Sequence, residues 1–398
     1  MVHDSPHRWP KLRAFTLLVG SSLTVMAATA VAPAKPEIAE FFADEPMSEL
    51  LATLVLTLPA LLIVGGAPLA GFVVDRWGRK RLFVASTILY ALGGSSGFYC
   101  TSLYQILVGR AVLGLAVAGV MTCCTTLIGD YYDGPPRRRF LGWQSAFMAL
   151  GGVVFLMTGG LLANFGWRMP FLVYLTALLL VPAVLAGIYE PDRPGKTART
   201  ASLADARVPR AMVAILYALG FWGMAHFYIV QVYLPEQLKQ LYGTTPFEAG
   251  IALATVSLSG AVASWQYRWV RRWLSFPFVV AVALPLMGGG YGVLFMADGY
   301  PLLFTGLILS GLGFGLLIPN LNLWLLAVSP ETVRGRLVGG LTTSIFLGQF
   351  FSWIVADPFI ATRDIGETFG IMGAATGVLG AGFAVFCVWR GCVLAEEK

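Results

Sequence analysis

Charge is what this sequence has least of. Asp, Glu, Lys and Arg make up only 12% of its 398 residues, against roughly 25% in soluble domains. So few charges cannot coat a globular surface, and so apolar a chain does not stay disordered in water. Cysteine is also sparse: Cys100, Cys123, Cys124, Cys387 and Cys392 sit in or beside apolar runs, without disulfide or metal-ligand spacing. Neither a metal nor any other cofactor is therefore expected. No G-x-x-x-x-G-K-[ST] phosphate loop occurs, which argues against an ATP-driven pump. A membrane-embedded enzyme would need a cluster of His, Asp, Glu or Cys at membrane depth, and none is found. A receptor would be expected to carry a signalling domain, for which the polar segments are too short.

Apolar runs are what the sequence does have. A membrane helix needs about 20 mostly apolar residues, and windows of that length place twelve. The first six fall near 14–34, 50–74, 82–100, 104–129, 141–163 and 169–189. The second six fall near 211–234, 248–265, 276–297, 301–328, 337–356 and 368–389. The longest polar stretch, 190–210, lies between the groups and contains three prolines, so it reads as a linker joining bundles over 1–189 and 211–398. The fold class expected is an all-α membrane protein of two pseudo-symmetric six-helix bundles. The first run follows Arg8, Lys11 and Arg13 like a secretory signal, but its length exceeds the usual h-region of about 7–15 residues, so a retained span is expected.

The excess of six positive charges suggests at first a nucleic-acid partner. Sorted by loop, however, 22 of the 27 Lys and Arg fall on one side, and only Lys35, Arg168, Lys239 and Arg363 on the other. Basic residues concentrate in cytoplasmic loops. Both termini are therefore expected in the cytoplasm and the lipid bilayer is the partner, with no nucleic acid implied. One cation remains, Arg110, inside the fourth span, and no acid falls inside any span beyond Glu248 at the very start of the eighth. An arginine at the bilayer centre costs about 2.5–3.5 kcal/mol, which makes Arg110 a candidate for binding or coupling.

The halves repeat. At offset 192, Arg76-Trp77-Gly78-Arg79-Lys80 meets Arg268-Trp269-Val270-Arg271-Arg272, each after the second helix of its half. At offset 197, Arg137, Arg139, Gly142, Leu150 and Gly151 meet Arg334, Arg336, Gly339, Leu347 and Gly348, and Gly114 meets Gly311. Parallel six-helix repeats place a solute site between the halves at mid-depth.

With these elements in place, the chain resembles the major facilitator superfamily, and within it the bacterial drug:proton antiporter (efflux) branch. The segment Gly71-Phe72-Val73-Val74-Asp75-Arg76-Trp77-Gly78-Arg79-Lys80-Arg81 is similar to the family motif G-x-x-x-D-R-x-G-R-[KR]-[KR]. The resemblance implies a latch made by Gly71, Asp75, Arg76, Gly78, Arg79 and Lys80. In it Asp75 meets the start of the eleventh helix and Arg79 pairs with Asp130. Gly71 and Gly78 suit close helix approach and a tight turn. ILVGRAVLGLAVA, from Ile106, is similar to the R-x-x-Q-G motif at Arg110 and Gly114, with Leu113 in place of glutamine. A coupling role for Arg110 is implied. Gly151, Gly159 and Gly160 match the antiporter motif of the fifth helix, while Phe155 and Leu156 stand where that motif has Gly-Pro.

The polar and aromatic groups inside spans complete the reading. His226, with Tyr228, Gln231 and Tyr233, lies on the seventh helix, and Asn320 and Asn322 flank Pro319 on the tenth. Gln349 and Trp353 share a face of the eleventh as i,i+4 neighbours. With Trp222 and Trp324 they are candidates to line a solute cavity, and His226, which titrates near neutral pH when free, is a candidate proton carrier. The expected function is proton-coupled export of a small organic solute, neutral or anionic because no carboxylate awaits a cation. The alternative is uptake or proton symport of an organic anion. The setting implied is a bacterial-type inner (plasma) membrane.

Overall fold

The computed structural model describes residues 10–191 and 209–390; most of the 190–210 linker, Arg8, Cys392 and Lys398 lie outside them. Among the described residues, twelve helices are long and apolar enough to cross a membrane. In the first unit they are α1 (Pro10–Phe41), α2 (Ser48–Trp77), α3 (Arg79–Tyr99), α4 (Leu103–Tyr131), α5 (Gly134–Ala163) and α6 (Met169–Gly187). In the second they are α7 (Arg210–Tyr242), α8 (Pro246–Trp273), α9 (Phe276–Phe295), α10 (Tyr300–Val328), α11 (Arg334–Ile360) and α12 (Ile365–Trp389). The chain divides into two compact units, Met1–Gly195 and Lys196–Lys398.

The helices overrun the apolar windows because their ends are set by backbone capping and prolines, whereas the windows follow hydropathy. Pro135 and Pro136 start α5 ahead of its three arginines, a position that needs no backbone donor. A capping box of Thr245 and Glu248 starts α8. Two spans are irregular. In α1 the helix Pro10–Thr29 gives way to a 3-10 turn over Ala32–Ala34 and a short helix, Lys35–Phe41, and α6 runs as 3-10 helix over Met169–Leu179.

Within each unit the packing order is the same. The second helix lies on the fourth, the third on the fourth and sixth, and the first on the fifth; in the second unit the partners are α8–α10, α9–α10, α9–α12 and α7–α11. Glycines set the closest approaches. A Cβ added at Gly93 would meet Gly109 O and Leu113 N, and one at Gly290 would meet Gly306 O and Ser310 N. Likewise Gly114 faces Pro59 O and Gly311 faces Val256 O. All five pairs of positions differ by 197, so the repeat seen in the sequence is a repeat of backbone contacts.

Prolines inside spans free carbonyls that lipid cannot satisfy. Pro319 leaves Gly315 O without its helical donor, and Ser264 on α8 supplies one at 2.8 Å. That hydroxyl reaches the carbonyl because Gly315 and Gly260 let the two helices touch.

Candidate functional site

In the first unit, Gly78 turns the chain from α2 into α3 with φ +91° and ψ 164°, a region essentially restricted to glycine. The turn exposes the first two amides of α3. Both donate to the Glu190 carboxylate, Arg79 N to Oε1 at 2.7 Å and Lys80 N to Oε2 at 2.9 Å. The arginine side chain then bridges two helix ends: Arg79 Nε is 3.2 Å from Asp130 Oδ2, and Nη1 is 4.0 Å from Glu190 Oε1. Lys80 donates to Leu185 O at 2.7 Å, and Tyr131 donates to Tyr189 O. The latch motif thus ties together the same-side ends of α3, α4 and α6. Asp75 is exposed. Within its own unit, a Cβ on Gly71 would meet nothing within 4 Å, whereas one on Gly66 of the same helix would meet Ala118 and Leu115.

Glu190 escaped the sequence reading because a glutamate heading a polar linker looks solvated. The available signal was α3 itself, whose N-cap is glycine, with no side chain to cap it. Gly78→Ala is expected to cost about 1–3 kcal/mol from backbone strain alone, and its Cβ would also sit 2.7 Å from Glu190 Oε1. Thermal unfolding in detergent checks this, with Gly142→Ala as the control, since nothing lies within 4 Å of that position. A melting temperature for Gly78→Ala equal to that of the control would refute the argument.

Arg110 is fully buried about 10 Å from the start of α4, by the rise of 1.5 Å per residue. Its guanidinium carbon lies 4.8 Å from the ring centre of Phe171 and 4.9 Å from that of Tyr174, both on α6. No carboxylate pairs with it among the described residues, and Nε and Nη1 lack hydrogen-bond partners. Aromatic faces contribute up to about 2 kcal/mol each to a desolvated cation, of the order of the insertion cost. Tyr174 donates to Ala27 O at 2.9 Å, and Tyr90, packed on Tyr174, donates to Leu23 O at 2.7 Å. The cation's pocket is thereby fastened to α1. Lys35, placed on the external side by its position in the sequence, is also buried, at the start of the short helix that follows the 3-10 turn of α1.

In the second unit, His226 and Trp222 converge on Thr376 of α12. Trp222 Nε1 donates to Thr376 Oγ1 at 3.1 Å, and His226 Nδ1 lies 3.1 Å from the same oxygen. The hydroxyl also reaches Met372 O at 2.8 Å. The hydroxyl has one proton to give, to Met372 O or to Nδ1, so the imidazole tautomer decides which of the two accepts it. Tyr291 of α9 stacks on the imidazole at 3.6 Å and donates to the His226 carbonyl. His226 Nε2 is buried as well.

The other candidates divide. Asn320 is closed into an interhelical link: it accepts from Tyr267 at 2.8 Å and donates to Phe276 O at 3.0 Å. Asn322 donates to Ile318 O in its own helix at 2.9 Å, Trp324 stacks with Phe276, and Tyr228 lies edge-on to Phe227. Gln231 is buried with both amide atoms unpartnered, Trp353 has a buried, unpartnered Nε1, and Gln349 is buried. An unpartnered buried amide costs about 1–3 kcal/mol, so Gln231 is the candidate with most to gain from a solute. Among the described residues no group of three or more His, Cys, Asp or Glu could hold a metal.

Comparison with known proteins places these features. Residues 17–352 match the model of the Major Facilitator Superfamily. A niacin transporter, NiaP, of Acinetobacter baylyi is 30% identical over 109 residues, 27% of this chain and 25% of that protein. The bacillibactin exporter of Bacillus subtilis is 24% identical over 326 residues, 78% of this chain and 80% of that protein. Among solved structures, a bacterial homologue of the human lysosomal transporter Spinster, inward-facing and unoccupied, superposes with a TM-score of 0.74 at 18% identity, covering 95% of each chain.

Proposed function

The chain belongs to the Major Facilitator Superfamily, and from that premise we propose that this transporter exports a small neutral or anionic organic solute by alternating access, driven by the proton gradient. One observation carries the solute class: among the described residues, Lys35, Arg110 and His226 are buried and no Asp or Glu is. A cationic solute would enter without a carboxylate to replace its water, and desolvating an unpaired charge costs far more than desolvating a neutral group. The relatives' names, a niacin transporter and a bacillibactin exporter, support an organic solute. In this reading both termini are cytoplasmic, in a bacterial-type plasma membrane, and Asp75 latches onto the start of α11 in the outward-facing state. Gln231, Gln349 and Trp353 contact the solute; His226 carries the proton and Arg110 governs its coupling.

Uptake is the second reading, favoured by Phe155 and Leu156 at the Gly-Pro positions of the antiporter motif. Purified protein in liposomes with an imposed pH gradient separates the two, with radiolabelled niacin as the anionic probe and tetraphenylphosphonium as the cationic one. Niacin moving against the direction of proton flow is the expected result. Movement with the protons would transfer the assignment to symport. Flux without pH dependence would overturn the coupling, and preferential flux of the cation would overturn the solute class.

A further inference from the structure

A groove of about 650 Å³ runs between α1 and α5 of the first unit, within the roughly 300–1,000 Å³ range of small-ligand sites. Ala14 and Leu18 form one wall, and Phe140, Trp143 and Phe147 the other. Tyr132 stacks on Phe140 at 4.6 Å to close one end. Its single charged lining residue is Arg139, which is exposed, as are Arg137 and Arg138 beside it. No ion pair neutralises these three among the described residues.

A second feature at the same rim favours an anion. The groove opens where α5 begins, and a helix N-terminus carries a partial positive charge, although Pro135 and Pro136 supply no amide there. The first turn of α5 contains no acid, and the exposed Asp133 at its N-cap makes no capping bond. An apolar trough with a positive field at one end fits an amphiphile with an anionic head. Small soluble anions would leave the trough unfilled, and a neutral lipid would leave the arginines unused. Basic pockets between transmembrane helices recognise acidic headgroups in this manner.

We infer that the α1–α5 groove seats one acyl chain of an anionic phospholipid, with its phosphate on Arg139 and the neighbouring Arg137 and Arg138. The groove is built from residues of the first unit alone. With the three arginines at the rim, the preference for phosphatidylglycerol over phosphatidylcholine is expected to be large.

Native mass spectrometry of the purified full chain, with each of the two lipids added, tests this. The wild type should retain phosphatidylglycerol selectively. Combining Arg137→Gln, Arg138→Gln and Arg139→Gln should reduce that preference by about a hundredfold. Ala14→Phe, which fills the trough and keeps the charge, should weaken retention of the long-chain lipid and spare that of its dihexanoyl form. Arg268→Gln with Arg272→Gln, on α8, should change nothing. Thermal unfolding of every variant establishes that the fold is kept, and the single change Arg139→Glu replaces the triple variant if that one unfolds. Equal retention of the two lipids, or an unchanged preference in the folded charge variants, would overturn the assignment. So would displacement of phosphatidylglycerol by octanoate at matched concentration, which would give the groove to a fatty-acid-like solute.

Discussion

Arg110→Met should abolish solute accumulation driven by a proton gradient, down to the level of protein-free liposomes, while the thermal stability of the protein stays the same or rises. The two halves of this expectation come from one geometry. Methionine removes a desolvated cation whose membrane cost is about 2.5–3.5 kcal/mol at the centre of a span. It forfeits two aromatic contacts, each worth up to about 2 kcal/mol. These terms nearly cancel, and a flexible thioether packs well against Phe171 and Tyr174. A purely structural arginine would therefore be replaceable without functional loss. What methionine cannot supply is the positive field in a pocket fastened to α1 through Tyr174 and Tyr90. Arg110→Lys should also fail to restore accumulation, because an ammonium lacks the planar face that lies against the two rings. Normal accumulation in a folded Arg110→Met protein would remove Arg110 from the coupling mechanism.

What the sequence made legible follows from the length scale of each signal. Hydropathy over about 20 residues is robust, so twelve spans and two halves could be read directly. Arg110 stood out because a lone charge in an apolar helix has no innocuous explanation. Gly114 and Gly311 disclosed the offset of 197, which the structure extends to backbone contacts at Gly93 and Gly290. The contacts that depend on local geometry stayed hidden. Lys35 looked like a loop residue because hydropathy does not register the short helix that it begins after the 3-10 turn. Glu190 meets Arg79 from 111 residues away, and no local pattern encodes that encounter. The aromatic clamp was invisible for a different reason: Phe171 and Tyr174 belong to an apolar run, where an aromatic ring normally means only burial. Asn320 shows the converse case. A polar residue beside a helix-interior proline invites a ligand role, and the fold engages its amide in bonds with Tyr267 and the Phe276 carbonyl that no local pattern announces.

The glycine run of α9 offers a test within three consecutive residues. Gly288→Ala and Gly290→Ala should each destabilise the second unit by about 1–3 kcal/mol, the usual cost of forcing a methyl into a packed interior, while Gly289→Ala should be neutral or stabilising. Successive helical residues point about 100° apart, so the three glycines face different neighbours. A Cβ on Gly288 would lie 2.5 Å from Gly373 O and 2.7 Å from Gly377 N on α12. One on Gly290 would lie 2.5 Å from Ser310 N and 2.6 Å from Gly306 O on α10. These are backbone atoms, which cannot rotate aside, so relief requires α9 to move away from a neighbour along its length. Gly289 faces open space, with nothing within 4 Å. There alanine gains up to about 1 kcal/mol of helix propensity over glycine. Because α9 is wedged between α10 and α12, and Tyr291 beside the run holds His226, loosening at Gly290 should reach the imidazole as well. Gly290→Ala should therefore lower both the unfolding temperature and the rate of gradient-driven flux, and Gly93→Ala should reproduce the stability loss at the equivalent α3–α4 contact. Equal melting temperatures for Gly289→Ala and Gly290→Ala would refute the packing assigned to α9.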